Sequence, residues 1–177
     1  IDLSKFFNND ITLIIGRSGT GKSTIEKKLC DTYHVKTIKS YTTRKPRSSD
    51  DDTHIFIKTE DYDKFKPKIA TTTINGIKYF ATLDQFNESK IYVIDPKGMY
   101  ELIENMPNKQ FNLLYLDISK AQHEAQLKNR RKSSDETKES QTKRLESENK
   151  QFTEFEKKLK NKEFPKNVHI LKKNTII

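Results

Sequence analysis

One cysteine, five glycines, five prolines, two methionines and no tryptophan are found in this chain of 177 residues. A lone Cys30 excludes an internal disulfide and fits a reducing compartment, so a cytoplasmic location is expected. Cys30 itself reads as a small buried side chain on the first helix. Long hydrophobic runs are also missing, and no stretch reaches the roughly 20 apolar residues of a bilayer-spanning helix. The amino-terminal IDLSKFFNN has neither the basic head nor the apolar run of a secretory signal. Hydrophobic residues amount to 32% and charged residues to 33%, which implies a thin core under much solvated helix surface. The length suits one domain over 1–177. Acidic charge is in deficit, with 25 Asp+Glu against 34 Lys+Arg and a net charge of +9. Such an excess suits a polyanionic ligand without naming it.

What is present alternates between short apolar runs and helical patterns. ITLII (11–15) ends at a glycine and reads as a buried parallel strand. Ile25 and Leu29 then take helical spacing, and VKTI (35–38) reads as a second short strand. Residues 40–52, SYTTRKPRSSDDD, are expected to form a loop whose basic half is followed by an acidic half. HIFI (54–57) restarts β character, and EDYDKF (60–65) suggests a short helix stopped by Pro67. Residues 69–82 are β-branched and aromatic around Asn75-Gly76, which predicts a hairpin. IYVID (91–95) and FNLLYLD (111–117) are further buried runs, with a helix near 99–105 between them. Ser119 is placed to cap the next helix, and 129–136 reads as a charged loop. A long helix carrying Leu145, Phe152, Phe155 and Leu159 on one face precedes a last strand, VHIL (168–171). The alternation predicts an α/β fold with a parallel central sheet flanked by helices.

The chemistry concentrates in GRSGTGKS (16–23), a full G-x-x-x-x-G-K-[ST] pattern between a strand and a helix. Glycines at 16, 19 and 21 let the loop turn its N–H groups toward phosphate oxygens. The helix behind them adds the positive end of its dipole. Gly16, Arg17, Ser18, Gly19, Thr20, Gly21, Lys22, Ser23 and Thr24 are therefore the candidate triphosphate cradle. Lys22 supplies a mobile cation for the β- and γ-phosphates, and the Ser23 hydroxyl is the expected Mg²⁺ ligand.

Downstream of this P-loop the chain resembles guanylate kinase. That family follows a G-P-S-G-x-G-K-S/T loop with S-x-T-T-R-x-P-R, and here Ser40-Tyr41-Thr42-Thr43-Arg44-Lys45-Pro46-Arg47 follows GRSGTGKST. DDDTHIF (50–56) matches an acidic stretch before an aromatic element, Gly76–Tyr79 a G-x-x-Y turn, and Asp95–Gly98 a D-x-x-G turn. The resemblance runs through about residues 11–172 in consistent order. It implies a P-loop NTPase fold with residues 11–39 and 84–177 as core, a basic lid near 129–144, and a small, partly β, monophosphate-binding lobe over 40–83. It also implies an ATP-dependent nucleoside monophosphate kinase that moves the γ-phosphate to GMP, dGMP or another (d)NMP.

The residues make this chemistry coherent. Arg44 and Arg47, three apart in a polar loop, suit the acceptor phosphate, because guanidinium forks match phosphate oxygens. Ser40 and Tyr79 add hydrogen-bond donors, and His54 stands where the family has a phosphate-touching tyrosine. Asp95 is expected at the nucleotide site, near Mg²⁺ or the acceptor. Lys22, Arg44, Arg131 and Arg144 are the candidate catalytic cations, with Arg130 a further lid candidate. Lobe and lid closure is expected to shield the donor from water. ATP and Mg²⁺ are the expected cofactors and a nucleoside monophosphate the expected partner, with no membrane.

One position departs from the family. The glutamate that reads guanine aligns with Ala70, which accepts no hydrogen bond, and Phe80-Ala81 replace a small hydroxyl residue, with Thr82 close by. Either another base is preferred, or specificity is broad, or Thr72 and Thr73 substitute. Two other readings compete. A non-catalytic guanylate-kinase-like module would bind a phosphorylated or acidic protein segment in the same cleft. The intact Gly21-Lys22-Ser23 argues against it. A nucleic-acid function is disfavoured, because Lys and Arg of the long helix are interspersed with Glu as on a solvated face.

Overall fold

The computed structural model describes residues 8–133 and 138–173, excluding the side chains at 130–133, 140, 141, 144 and 173. In chain order the elements are β1 (Ile11–Gly16), α1 (Lys22–Tyr33), β2 (Tyr41–Thr42), β3 (Ile55–Phe56), a 3-10 turn (Thr59–Lys64), β4 (Lys68–Ile74), β5 (Ile77–Thr82), α2 (Leu83–Glu88), β6 (Ile91–Val93), α3 (Pro96–Asn105), β7 (Phe111–Leu116), α4 (Lys120–Ser133), α5 (Lys138–Lys160) and β8 (Val168–Lys173).

Two sheets organise the chain. The first is wholly parallel, in the order β6-β1-β7-β8. Every residue of β1 and β7 is buried, as expected for strands covered on both faces. Side-chain alternation divides the core between those faces. Ile11, Leu13 and Ile15 of β1 pack with Phe111, Leu113 and Tyr115 of β7 against α3 and α5, where Met99, Leu102, Phe152 and Phe155 are buried. Ile14, Leu114 and Leu116 point the other way onto Ile25 and Leu29 of α1. The second sheet, in the order β3-β2-β5-β4, is mixed: β2 and β4 pair antiparallel with β5, and β3 pairs parallel with β2. Its hairpin turns at Asn75-Gly76, both with positive φ. Ile69, Ala70 and Ala81 continue the main core into this sheet.

The architecture is that of a P-loop α/β fold: a parallel sheet flanked by helices, with a smaller β lobe attached. Four local expectations change. Val35–Ile38 does not form a strand, and only Thr37 bridges to Ile91. The segment expected as loop after Ser40 contains β2, because its backbone finds β3 and β5 as non-local partners. Residues 129–133 continue α4 rather than forming a loop, since Lys and Arg are good helix formers. Cys30 is only half-buried, at the margin of the α1 cluster. Among the described residues, no helix is long and apolar enough to cross a membrane.

Candidate active site

The loop of residues 16–23 sits at the carboxyl end of β1, beside the carboxyl end of β6, where ligands gather in parallel α/β sheets. Gly21 caps α1 at φ 90°, a conformation that a side chain would strain. Gly16 is required for a different reason than backbone freedom. A Cβ there would lie 2.5 Å from Thr20 Oγ1 and 3.2 Å from Leu116 Cβ. Thr20 ties the loop together, its hydroxyl and amide both donating to Arg17 O, at 2.7 and 3.2 Å. Lys22 Nζ donates to Gly16 O at 2.7 Å and Arg17 O at 2.9 Å, which holds the ammonium against the loop. The first turn of α1 carries no acidic residue, so its positive end is not neutralised from within. Ser23 and Thr24 are exposed on that turn and line a shallow groove with Lys27 and Asp31.

A cleft of 830 Å³ runs from Gly16 and Lys22 past Val93, Ile94 and Asp95 to Asn75 and Tyr79. Adjoining it is a cavity of 200 Å³ lined by Ser40, His54, Ala70, Thr72, Ile74, Tyr79, Tyr92 and Asp95, among others. Tyr79 and Asp95 belong to both spaces. β4 presents alternate residues here, so Ala70, Thr72 and Ile74 face the cavity. Thr71 instead binds Glu101 of α3 through its amide at 3.1 Å and its hydroxyl at 2.7 Å. Of the threonines proposed as base readers, Thr72 lines the cavity and Thr73 does not. Thr82 is committed to a capping box with Gln85 at the start of α2. Ser40 Oγ lies 2.9 Å from Tyr92 Oη, whose burial pushes its phenol up to about 12.

Asp95 caps α3, with Oδ1 accepting from Gly98 N at 2.7 Å. Burial raises its pKa against that hydrogen bond and the charge of Lys97, and Glu148 adds a smaller push upward. Of the two metal candidates, Ser23 lines the surface groove and Asp95 the cleft. Among the described residues no group of three or more His, Cys, Asp or Glu is placed to hold a metal ion. A hydroxyl and a carboxylate are hard oxygen donors of the kind Mg²⁺ takes when phosphates and water complete its shell.

Arg44 and Arg47 are both tied to Asp51. Arg44 donates to Asp51 Oδ2 at 3.2 Å, Thr53 Oγ1 at 3.3 Å and Lys45 O at 3.0 Å, and its guanidinium lies 5.2 Å from the Phe56 ring centroid. Arg47 is exposed, and its amide donates to the same Asp51 oxygen at 2.9 Å. Neither side chain lines the 200 Å³ cavity. Hydrogen bonds from the Arg47 amide and the Thr53 hydroxyl, with that from Arg44, hold Asp51 well below the usual carboxylate range. His54 lies at the junction, its ring 5.5 Å from that of Tyr79 and its Nδ1 2.9 Å from Thr53 Oγ1. Burial depresses its pKa, and the charges of Arg44 and Arg47 reinforce the shift.

The helices after β7 reach the loop from the other side. Glu148 of α5 accepts from Ser18 N at 2.9 Å, and its second oxygen accepts from Ser18 Oγ. His123 Nε2 of α4 contacts Ser18 O at 2.6 Å. Arg17 donates to Glu156 at 3.0 Å and Asn149 at 3.5 Å, and lies 5.1 Å from the Phe152 ring centroid. Tyr115 completes the group by donating to Glu156 at 2.6 Å. None of these partners was anticipated from the sequence. The available signal was placement: Glu148 and Glu156 stand one turn before and after Phe152, carboxylates on a face whose period predicts core. The lid candidates Arg130, Arg131 and Arg144 have side chains outside the described residues.

No protein-family model matches the sequence, and no curated protein matches it. Solved structures do resemble the fold. One is the crystal structure of guanylate kinase from Anaplasma phagocytophilum, similar at a TM-score of 0.54 and 15% identity over 93% of this chain and 77% of that one.

Proposed function

We propose that this protein is a nucleoside monophosphate kinase of guanylate-kinase-like type, transferring the γ-phosphate of ATP to a (deoxy)nucleoside monophosphate. The reading rests on one observation above all: the cleft lined by Lys22 adjoins the cavity lined by Ser40, His54 and Thr72, and Tyr79 and Asp95 line both. Two phosphate sites that meet are what in-line transfer requires, since the reaction needs placement and charge neutralisation more than covalent help. The fold it shares with a guanylate kinase supports the same reading.

In this scheme the loop amides and Lys22 receive the triphosphate, while the smaller cavity receives the base and sugar of the acceptor. Tyr79 and His54 border the acceptor phosphate. Arg44 and Arg47 carry positive charge beside it and reach it as the lobe closes. Ser23 and Asp95 would hold Mg²⁺, which would supply positive charge to offset the negative charge of the phosphates. Arg131 and Arg144 would close over the transferring group from the lid. Guanine is not the only base in view, because the cavity wall offers Ala70 and Thr72 where a carboxylate would read it. Steady-state kinetics across ribo- and deoxy-monophosphates test the assignment. At least one should support ADP formation, and a protein-binding module would support none.

A further inference from the structure

Ser18 offers two donors, an amide and a hydroxyl, at the mouth of the phosphate loop, and one side chain takes both. The Glu148 carboxylate accepts from Ser18 N at 2.9 Å with one oxygen and from Ser18 Oγ with the other, across 130 residues of sequence. Ser18 is buried under this contact. A carboxylate bound by an amide and a hydroxyl in a phosphate cradle occupies the place of an anion. A terminal phosphate carries nearly two negative charges and needs the same donors, so the two groups exclude each other by hydrogen bonding and by charge.

The surroundings allow Glu148 to leave. It forms part of the wall of two cavities, the 830 Å³ cleft with Gly16 and Lys22 on one side and a 640 Å³ space with Arg17 and His123 on the other. α5 is anchored beyond it: Phe152 and Phe155 are buried in the core. Before it, Thr142, Lys143, Glu146 and Ser147 are exposed, and Leu145 is only half-buried. Glu148 therefore lies where the anchored half of the helix gives way to the solvated half.

We propose that Glu148 is a gate on the donor site: its carboxylate competes with the terminal phosphate of the triphosphate for the Ser18 amide and hydroxyl, and so sets the affinity for ATP. The inference rests on the reading of residues 16–24 as a triphosphate cradle. It makes binding of the donor displace a contact made by α5, so the first turns of that helix move when ATP enters.

Calorimetric titration of the full chain with ATP, ADP and AMP tests this, using wild type, Glu148→Gln, Glu148→Ala and Lys22→Ala. Removing the charge should tighten ATP about tenfold, the scale of one charge-assisted hydrogen bond. ADP should tighten less and AMP not at all. Thermal melting of each variant reports the structural contribution. If both Glu148 variants bind ATP as wild type does, or more weakly, Glu148 is a buttress of the loop and the gate is refuted. ATP binding lost in Lys22→Ala but unchanged in Glu148→Gln would reject the gate and keep the cradle. ATP binding by neither wild type nor Glu148→Gln would reject both.

Discussion

Tyr79 and Asp95 come from different parts of the fold, one from the hairpin of the smaller sheet and the other from the cap of α3, yet both line the 200 Å³ cavity and the 830 Å³ cleft. In the proposed reaction, that shared position is where a phosphate would pass from donor to acceptor. Tyr79→Phe removes a hydroxyl while leaving the ring contact with His54. It should raise the KM for the monophosphate about tenfold, the worth of a hydrogen bond to a charged group, with the KM for ATP unchanged. An equal rise in both would place Tyr79 outside the acceptor site.

Asp51 organises the basic loop by accepting from the Arg47 amide, the Thr53 hydroxyl and Arg44. Because its folded pKa is depressed, its contribution is present above the ordinary carboxylate pKa of about 3.9 and is lost only as pH falls through the lower folded value. Asp51→Asn should therefore lower the melting temperature at neutral pH, and the difference from wild type should shrink as pH drops below 3. It should also raise the monophosphate KM, since Arg44 loses its support. A melting difference independent of pH would contradict this role.

Burial, with the charges of Arg44 and Arg47, lowers the pKa of His54. Its folded pKa lies below the ordinary value of about 6.5, so the unfolded chain binds the proton more readily and acidification through that window costs stability. A phosphate dianion beside the ring should reverse the shift. NMR titration of the His54 ring should show a pKa below that of a free imidazole, rising when a nucleoside monophosphate is added. An unmoved titration at saturating monophosphate would remove His54 from the phosphate site.

Thr72 supplies the β4 hydroxyl in the 200 Å³ cavity, between Ala70 and Ile74. Thr72→Val preserves shape and removes that hydroxyl. If it reads the base, kcat/KM should fall about tenfold for the preferred monophosphate and much less for the others. A uniform change across the panel would show that Thr72 only shapes the wall.

The legibility of this molecule in its sequence follows the range of its interactions. The strand–loop–helix of residues 11–33 was readable because its demands are local: a glycine at a positive-φ cap, a lysine beside it, and a buried strand in front. The hairpin at Asn75-Gly76 was readable for the same reason. Tyr41–Thr42 was not, because a two-residue strand in a polar stretch depends on partners 14, 37 and 39 residues away. The pairing of Arg44 with Asp51 hid behind a pattern of basic then acidic residues, which gives charge but not geometry. Glu148 and Glu156 were hardest to see. They look like the solvated face of a charged helix until the core contacts of Phe152 and Phe155 turn that face onto Arg17 and Ser18.

Transfer of label from γ-labelled ATP is the measurement that tests the central claim most directly. Wild type with Mg²⁺ and a panel of ribo- and deoxy-monophosphates should place the label in a nucleoside diphosphate for at least one acceptor. Lys22→Ala should place none there. Label found only in inorganic phosphate, or left on ATP with every monophosphate, would contradict the assignment of this cleft to monophosphate phosphorylation.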